Sequence, residues 1–410
     1  MKTIKFYTLG CKANQYDTQG LREHFLRQGY KESENGGLAD VYLINTCTVT
    51  QKADSDSLNI IRRARRQNPK AKIIVTGCLA ELDAAKIRKQ GIRGLLINHK
   101  KKLKMLQRGI SGFKGHTRAF LKVQDGCNNF CSYCKVPLVR GKSSSRPLRE
   151  VIKEAERLVG SGFKEIVLTG ICLGAYGNDL KPKTSLVKVI ENLEILEGLL
   201  RIRLSSIEAA DVSDELIEKI AKSRKLCRHL HIPIQSGDDA ILKKMNRKYT
   251  RKDYLALIRK LRKLIPEIAI STDVLVGFPG EDELKFQHTQ ELVKQILPLK
   301  VHIFPYSKRE GTTAAGFKGE VHQIVVKKRI ERLKNIADSL AATYQKQFLN
   351  KTFAVLIEGR VKDEPEFWQG HTDNYLQVRV KSAGDLKNAL ISLKLKKLER
   401  DYILADKRYE

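Results

Sequence analysis

A chain of 410 residues exceeds the roughly 250–300 residues that one hydrophobic core serves, so two or three domains are expected. With 77 Lys and Arg against 46 Asp and Glu, the formal net charge is +31, an excess that suits a polyanion such as RNA, although a broadly solvated basic surface has the same sum. No apolar run approaches the roughly 18 residues that span a bilayer, and the start MKTIKFYTLG lacks the zones of a secretory signal; no membrane partner and a cytoplasmic location are predicted, with the eight cysteines used for metal rather than disulfides.

Strands are predicted at 3–9, 41–45 and 72–76, followed by helical patterns at 15–28, 55–67 and 81–89. Such alternation builds a parallel sheet with right-handed crossovers, and the carboxyl ends of its strands form a ligand crevice. Cys11, Cys47 and Cys78 each come one or two residues after a strand. Neighbouring strands lie about 5 Å apart, so these thiols can converge on one cluster, with helix amino termini behind them favouring thiolates. Three unrelated buried cysteines are the plainer alternative. Asn14 and Asp17 follow, as polar site residues or as helix caps. Arg62, Arg63, Arg65 and Arg66 put several guanidiniums on the second helix. Between 91 and 115 the pattern weakens into Lys and Gly, including Lys100-Lys101-Lys102; this reads as a linker, with a domain boundary near 112.

A strand at 119–123 leads into GCNNFCSYC, which spaces Cys127, Cys131 and Cys134 as C-x3-C-x2-C. Three thiolates on one short loop wrap a [4Fe–4S] cluster and leave one iron open, whereas closed electron carriers use four. Structural zinc is the rival, but it takes four ligands in paired units, and neither a second CxxC nor an HxxxH follows. Arg140 and Arg146, just past the loop, face RNA phosphate, neutralise a cluster, or lie on the surface. Further strands at 165–168, 201–204, 228–232, 268–274 and 301–304 complete six β–α units, which fit a partial (β/α)6 barrel with its chemistry at the carboxyl ends. Small or polar residues follow these strands, among them Gly170, Ser206, Glu208, Gln235 and Gly277; as a group they are candidate cofactor contacts, against the ordinary use of glycine in turns. Cys172 and Cys227 read as inert buried thiols.

From 349 the character changes. Short strands at 352–358, 375–380 and 393–400 imply a small all-β barrel. Lys394, Lys396 and Lys397, with Phe367, Trp368 and Tyr375, suit single-stranded RNA, unless the aromatics fill the barrel's core.

The cysteine loop, with Tyr133 before its last thiol, resembles the radical S-adenosylmethionine (SAM) superfamily, in which the methionine amine and carboxylate of SAM chelate the open iron. Residues 7–17 (YTLGCKANQYD), 42–50 (YLINTCTVT), 76–81 (TGCLAE), 126–146, 203–208 (RLSSIE), 231–237 (HIPIQSG) and 272–281 (TDVLVGFPGE) together resemble the methylthiotransferase family. RLSSIE and 302–311 (HIFPYSKREG) are similar to the branch that modifies N6-threonylcarbamoyladenosine at position 37 of tRNA. The resemblance implies an α/β protein: an open parallel-sheet methylthiotransferase domain at 1–112, a radical SAM half-barrel at 113–348, and a TRAM RNA-binding barrel at 349–410, where Asn350 replaces a small residue of the family pattern. It further implies two [4Fe–4S] clusters, one on Cys127, Cys131 and Cys134 and an auxiliary one on Cys11, Cys47 and Cys78. SAM would lie against Gly170, Ser206, Glu208, Gln235 and Gly277. The implied partners are the tRNA anticodon arm and an electron donor such as flavodoxin or ferredoxin. The implied reaction begins with a 5′-deoxyadenosyl radical taking hydrogen from C2 of adenine, for which no His–carboxylate pair is needed and none is apparent. Isopentenyladenosine-37 or a ribosomal protein are the alternative substrates, and an RNA-binding protein with structural clusters is the alternative without catalysis.

Overall fold

In the computed structural model, which describes residues 1–33, 37–91 and 94–407, the chain opens with a five-stranded parallel sheet. Its order is Lys31–Glu32, Thr3–Thr8, Val41–Thr46, Lys72–Gly77 and Gly94–Leu96. Val41–Thr46 is buried at every position, as a central strand covered on both faces must be. The helix Gln51–Gln67 starts where the Thr50 side chain accepts the Ala53 N–H at 3.1 Å; it buries Ile61 and Ala64 and leaves Arg62, Arg63, Arg65 and Arg66 in solvent. The stretch read as a linker is instead built into the domain, since Gly94–Leu96 is the fifth strand and His99–Met105 is a helix. The reason lies in one lysine of the run. Lys102 is only 1% exposed and sits 2.7 Å from the Asp17 carboxylate, a partner too distant in sequence to be read from the lysine run itself.

Six parallel strands follow in sequence order: Arg118–Lys122, Glu165–Thr169, Arg201–Leu204, His229–His231, Ala269–Val276 and Lys300–Pro305. They form two three-stranded sheets, joined by parallel bridges at Ile202–Leu226 and Ser206–His231. Alternate residues decide what faces where. Ala119, Leu121, Ile166, Leu168, Ile202, Leu204, Leu230, Ile270 and Val274 share one apolar core with the surrounding helices. The residues between them are mostly polar, including Lys122, Glu165, Arg203, His231, Ser271, Asp273 and His302; by the two-residue period of a strand they line the concave side. A closed barrel fills its inside with branched apolar layers. This half-barrel keeps a polar channel.

After the long helix Gln323–Lys346 the chain ends in a closed five-stranded barrel, in the order Thr352–Arg360, Phe367–Thr372, Gln377–Lys381, Ile403–Lys407, Leu390–Leu398. Two of these strands, Phe367–Thr372 and Ile403–Lys407, were absent from the sequence reading; the first buries Trp368, Gly370 and Thr372, too little apolar surface to mark a strand. Trp368 belongs to the barrel's core at 4% exposure, with its indole N–H donated to the Ser382 carbonyl at 3.2 Å, so it is not an RNA-stacking surface. Nor is Tyr375 free: its ring lies between those of His229 and His371, at 4.6 and 4.7 Å, against the half-barrel. Lys394, Lys396 and Lys397 are exposed. Asn350 takes φ +66 and donates its backbone N–H to Leu395 O at 2.7 Å, a left-handed position that asparagine tolerates well. Among the described residues no helix is long and apolar enough to cross a membrane.

Buried ions join these parts. Asp17, on the first helix, pairs with Lys102, with Lys122 of the first half-barrel strand, and with Arg140. Arg140 also clamps Asp125 at 2.8 and 3.1 Å and reaches Asn14 Oδ1 at 2.6 Å. Its side chain is buried, which removes it from RNA phosphate. Arg146 is half-buried, paired with Glu154 at 2.7 Å. Burial alone would raise the Asp17 carboxyl, but Lys102, Lys122 and Arg140 outweigh it and hold the group well below the usual carboxylate range. Asp17→Asn would leave three cations facing one another without their shared anion. Loss of one partner of a buried ion pair costs about 3–5 kcal/mol, and a fall of that size is expected in the unfolding free energy from urea titration.

Candidate active site

The first three cysteines gather at one end of the first sheet. Cys11 precedes the helix Lys12–Arg27, Cys47 follows the strand Val41–Thr46, and Cys78 opens the helix Cys78–Leu82 directly after Lys72–Gly77. Gly10 takes φ +89, and a Cβ there would stand 2.6 Å from Cys47 Sγ; only glycine lets the segment before Cys11 close onto Cys47. Asn14 ties the strand ends, its amide donating to Leu9 O at 2.8 Å and Thr46 O at 2.9 Å. Near this end the Arg140 guanidinium is held strongly protonated, against the cost of its burial, by the Asp125 and Asp17 carboxylates first and by the Cys78 and Cys11 sulfurs after them. Arg309, from the stretch HIFPYSKREG, reaches the same end, donating to Thr48 O at 2.9 Å and pairing with Asp54 at 2.7 Å. Burial pushes the Cys47 thiol up to about 11.

The loop thiols each receive an N–H. Asn129 donates to Cys127 Sγ and Val136 to Cys134 Sγ, both at 3.4 Å, and Arg247 donates to Cys131 Sγ at 3.6 Å. Three soft sulfur donors, each with an N–H to stabilise its negative charge, are a set that fits a cluster held by three thiolates. The loop is braced by residues that the sequence reading did not single out. Asn246 donates to the carbonyls of Asn129 and Phe130, each at 3.1 Å, and Ser132 N–H bonds Met245 O at 3.1 Å. Arg247 also binds Glu208 and the Pro233 carbonyl, so Glu208 stands one ion pair away from Cys131. The sequence signal for these residues is faint: a charged, aromatic break, NRKY, between two helical runs.

Cys172 departs from its reading as an inert thiol. It hydrogen-bonds Cys127, and its Sγ lies 3.4 Å from Asp211 Oδ2. The Cys172 hydrogen bond, outweighing burial, brings Cys127 down to about 7. The Cys127 contact, burial and Asp211 drive Cys172 far upward. Cys227 is fully buried beside Arg203 and stays outside the site.

Gly170, Ser206, Gln235 and Gly277 follow the second to fifth half-barrel strands, on the same side as the cysteine loop. A Cβ at Gly170 would lie 3.0 Å from Gln124 Oε1. Ser206 is bridged to His231. Gln235 takes φ +61 and is fixed by its N–H to Asp273 O at 2.9 Å. Gly277 takes φ +81, gives its N–H to Glu281 at 2.7 Å, and would press a Cβ to 2.5 Å from Val326; helix packing accounts for that glycine. The fold also brings together a pair the sequence did not suggest, His231 and Asp273 at 3.2 Å. Below them lies a cavity of about 1260 Å³, lined by Lys12, by His231, Ser271 and His302 of the half-barrel, by the long helix, and by Tyr375 and Gln377 of the terminal barrel.

A half-barrel of six parallel strands with a three-thiol loop after the first defines a radical SAM enzyme. Residues 121–293 match the Radical SAM superfamily and residues 3–96 the uncharacterized protein family UPF0004. Over 431 aligned residues the chain is 40% identical to the threonylcarbamoyladenosine tRNA methylthiotransferase MtaB of Bacillus subtilis (strain 168), covering 98% of this chain and 95% of the relative. It is 36% identical to the MtaB of Thermotoga maritima, covering 94% and 96%. It is also 36% identical to a tRNA-2-methylthio-N(6)-dimethylallyladenosine synthase of Clostridium botulinum (strain Okra / Type B1), covering 95% and 93%. Among solved structures, the radical SAM methyltransferase TsrM of Kitasatospora setae shares the fold, with a TM-score of 0.53 at 14% identity over 74% of this chain and 75% of that one. The chain belongs to the radical SAM tRNA methylthiotransferases, of the MtaB type.

The Arg247 hydrogen bond then has a measurable consequence. Loss of a bond to a charged group costs about 1.5–3 kcal/mol, so Arg247→Met is expected to slow SAM cleavage by roughly tenfold or more. Arg247→Lys should restore part of the loss, read as 5′-deoxyadenosine release with the circular dichroism spectrum unchanged.

Proposed function

We propose that this enzyme converts N6-threonylcarbamoyladenosine at position 37 of tRNA to its 2-methylthio derivative, using SAM and two [4Fe–4S] clusters. The observation that carries the reading is the pairing of two thiol trios, each at the carboxyl end of its own parallel sheet, locked together by Arg140 and Arg309. Cys127, Cys131 and Cys134 would hold one cluster, and Cys11, Cys47 and Cys78 the other. With SAM bound, such a pair supplies a 5′-deoxyadenosyl radical for the adenine C2 hydrogen and a sulfur for insertion. The chain's own residues supply geometry. Asn246 and Arg247 fix the loop, the turns at Gly170, Ser206 and Gln235 border the space where SAM would lie, and Asn14 with Gly10 closes the auxiliary thiols. The units at 1–112, 113–348 and 349–410 divide this work.

The net charge of +31 and the exposed arginines and lysines of the first and last units support a grip on the anticodon arm, whose unpaired base 37 can be splayed out. A flavodoxin or ferredoxin would deliver electrons in the cytoplasm. The dimethylallyl substrate is the second reading, favoured by relatives with that name. Against it stand Lys12 and His302 in the cavity lining, polar groups that an apolar substituent would leave unmet.

Two substitutions test the assignment by mass spectrometry of tRNA nucleosides beside 5′-deoxyadenosine release. Cys131→Ala is expected to abolish both signals; any methylthio product from that variant excludes the loop as the SAM-cleaving site. Cys47→Ala is expected to keep SAM cleavage while losing the methylthio product. A normal product yield there refutes the auxiliary site.

A further inference from the structure

Lys12 begins the first helix immediately after Cys11, and its side chain lines the 1260 Å³ cavity. Among the described residues its ammonium has neither a hydrogen bond nor an ion pair. The nearby charges make this position unfavourable. Arg118 and Arg203 act on it as like charges, and their own carboxylates are already engaged: Arg203 with Glu165 at 2.7 Å, Arg118 with Glu358 at 3.2 Å. A partly buried cation without a direct partner is costly; burial is the largest burden on Lys12, and among the described residues no carboxylate pairs with it. The missing partner is an anion that enters the cavity.

Three anions are candidates. The Cys11 sulfur is a neighbour in the chain, but no hydrogen bond or ion pair joins it to Lys12, and it acts on Arg140 as well. An RNA phosphate belongs to a backbone that runs along the outside, where lysines and arginines are plentiful, whereas Lys12 opens onto a channel walled by the half-barrel and floored by Tyr375. What a splayed nucleoside brings into such a channel is its base and whatever is attached to the base. On the threonylcarbamoyl reading, that attachment ends in an α-carboxylate, and it carries a ureido group and a hydroxyl that need partners. The wall offers polar groups in His231, Ser271 and His302, the first two hydrogen-bonded to each other at 3.0 Å.

We infer that Lys12 is the receptor for the carboxylate of the threonyl group, and so a determinant of which modified adenosine is accepted. The inference rests on the substrate reading above and deepens it. A charged acceptor lost from a site built to bind it costs about tenfold or more in affinity; a neutral analogue leaves Lys12 unpaired again.

Three fluorescent anticodon stem-loops test this: one bearing N6-threonylcarbamoyladenosine, one with its carboxylate converted to the carboxamide, and one with unmodified adenosine. Equilibrium binding to the reconstituted enzyme is measured by anisotropy, beside the methylthio product. The wild type is expected to bind the carboxylate loop at least tenfold more tightly than the carboxamide loop. Lys12→Met should bring the two within about twofold, and Lys12→Arg should keep most of the preference. Equal weakening on all three loops assigns Lys12 to phosphate or to the thiolates and overturns the inference, as does an undiminished preference in Lys12→Met. If the wild type instead modifies only a fourth loop, bearing N6-dimethylallyladenosine and assayed beside these three, the substrate reading itself fails, and that outcome is visible without any variant.

Discussion

Five charges buried at one seam, Asp17, Asp125, Lys102, Lys122 and Arg140, fix where the first sheet stands against the half-barrel. Each ion costs several kcal/mol to desolvate, and apolar packing of the same volume would serve stability as well. What ions add is direction. Asp17 lies on the helix that starts after Cys11, Asp125 is two residues before Cys127, and Arg140 binds both carboxylates as well as Asn14. One guanidinium therefore sets the relation between the two cysteine groups. A seam of interchangeable methyl groups would let the sheets slide. Charges paired at 2.7–2.9 Å do not.

The parts of the structure legible in the sequence were those whose signal is local. Strand and helix periods placed the parallel elements, and six cysteines after strand ends or in one short loop marked the chemistry. The parts that were not legible depend on partners remote in sequence. Lys102 looks like one lysine of a solvated run until Asp17 is beside it. Arg140 is in a stretch that reads as basic surface. Trp368 and Tyr375 look like RNA-stacking rings, yet one fills a barrel and the other packs between two histidines. Arg247 touches the Cys131 thiol and Cys172 the Asn129 amide of the same loop from segments more than forty residues away, and no spacing rule reaches that far.

The polar inner face of the half-barrel explains why the terminal barrel is more than an appended module. Arg201 and Arg203 point into the channel, where their donors exceed what Glu165 accepts. The surplus goes to backbone carbonyls of the terminal barrel, those of His371, Asp373 and Thr372 at 2.8, 3.0 and 3.1 Å. The guanidinium of Arg203 then lies 4.6 Å from the Tyr375 ring centre, a favourable cation–π arrangement. The last unit closes the channel from below, so the half-barrel strands can keep charged residues inside without leaving their donors unsatisfied.

Four sulfurs stand near the loop, and Cys172 is set apart from Cys127 by which of the two holds the proton. Thiolates bind metal; thiols do not. The hydrogen bond between Cys172 and Cys127 can have its proton on one sulfur only. Asp211, 3.4 Å from Cys172 Sγ, makes a second negative charge there costly, while the Asn129 N–H at 3.4 Å supports one on Cys127. The proton therefore stays on Cys172, which lowers Cys127 to about 7. An acidic neighbour thus turns a potential fourth ligand into a hydrogen-bond donor. A cluster held on such a loop by three thiolates would have its fourth position open to a molecule from outside the chain.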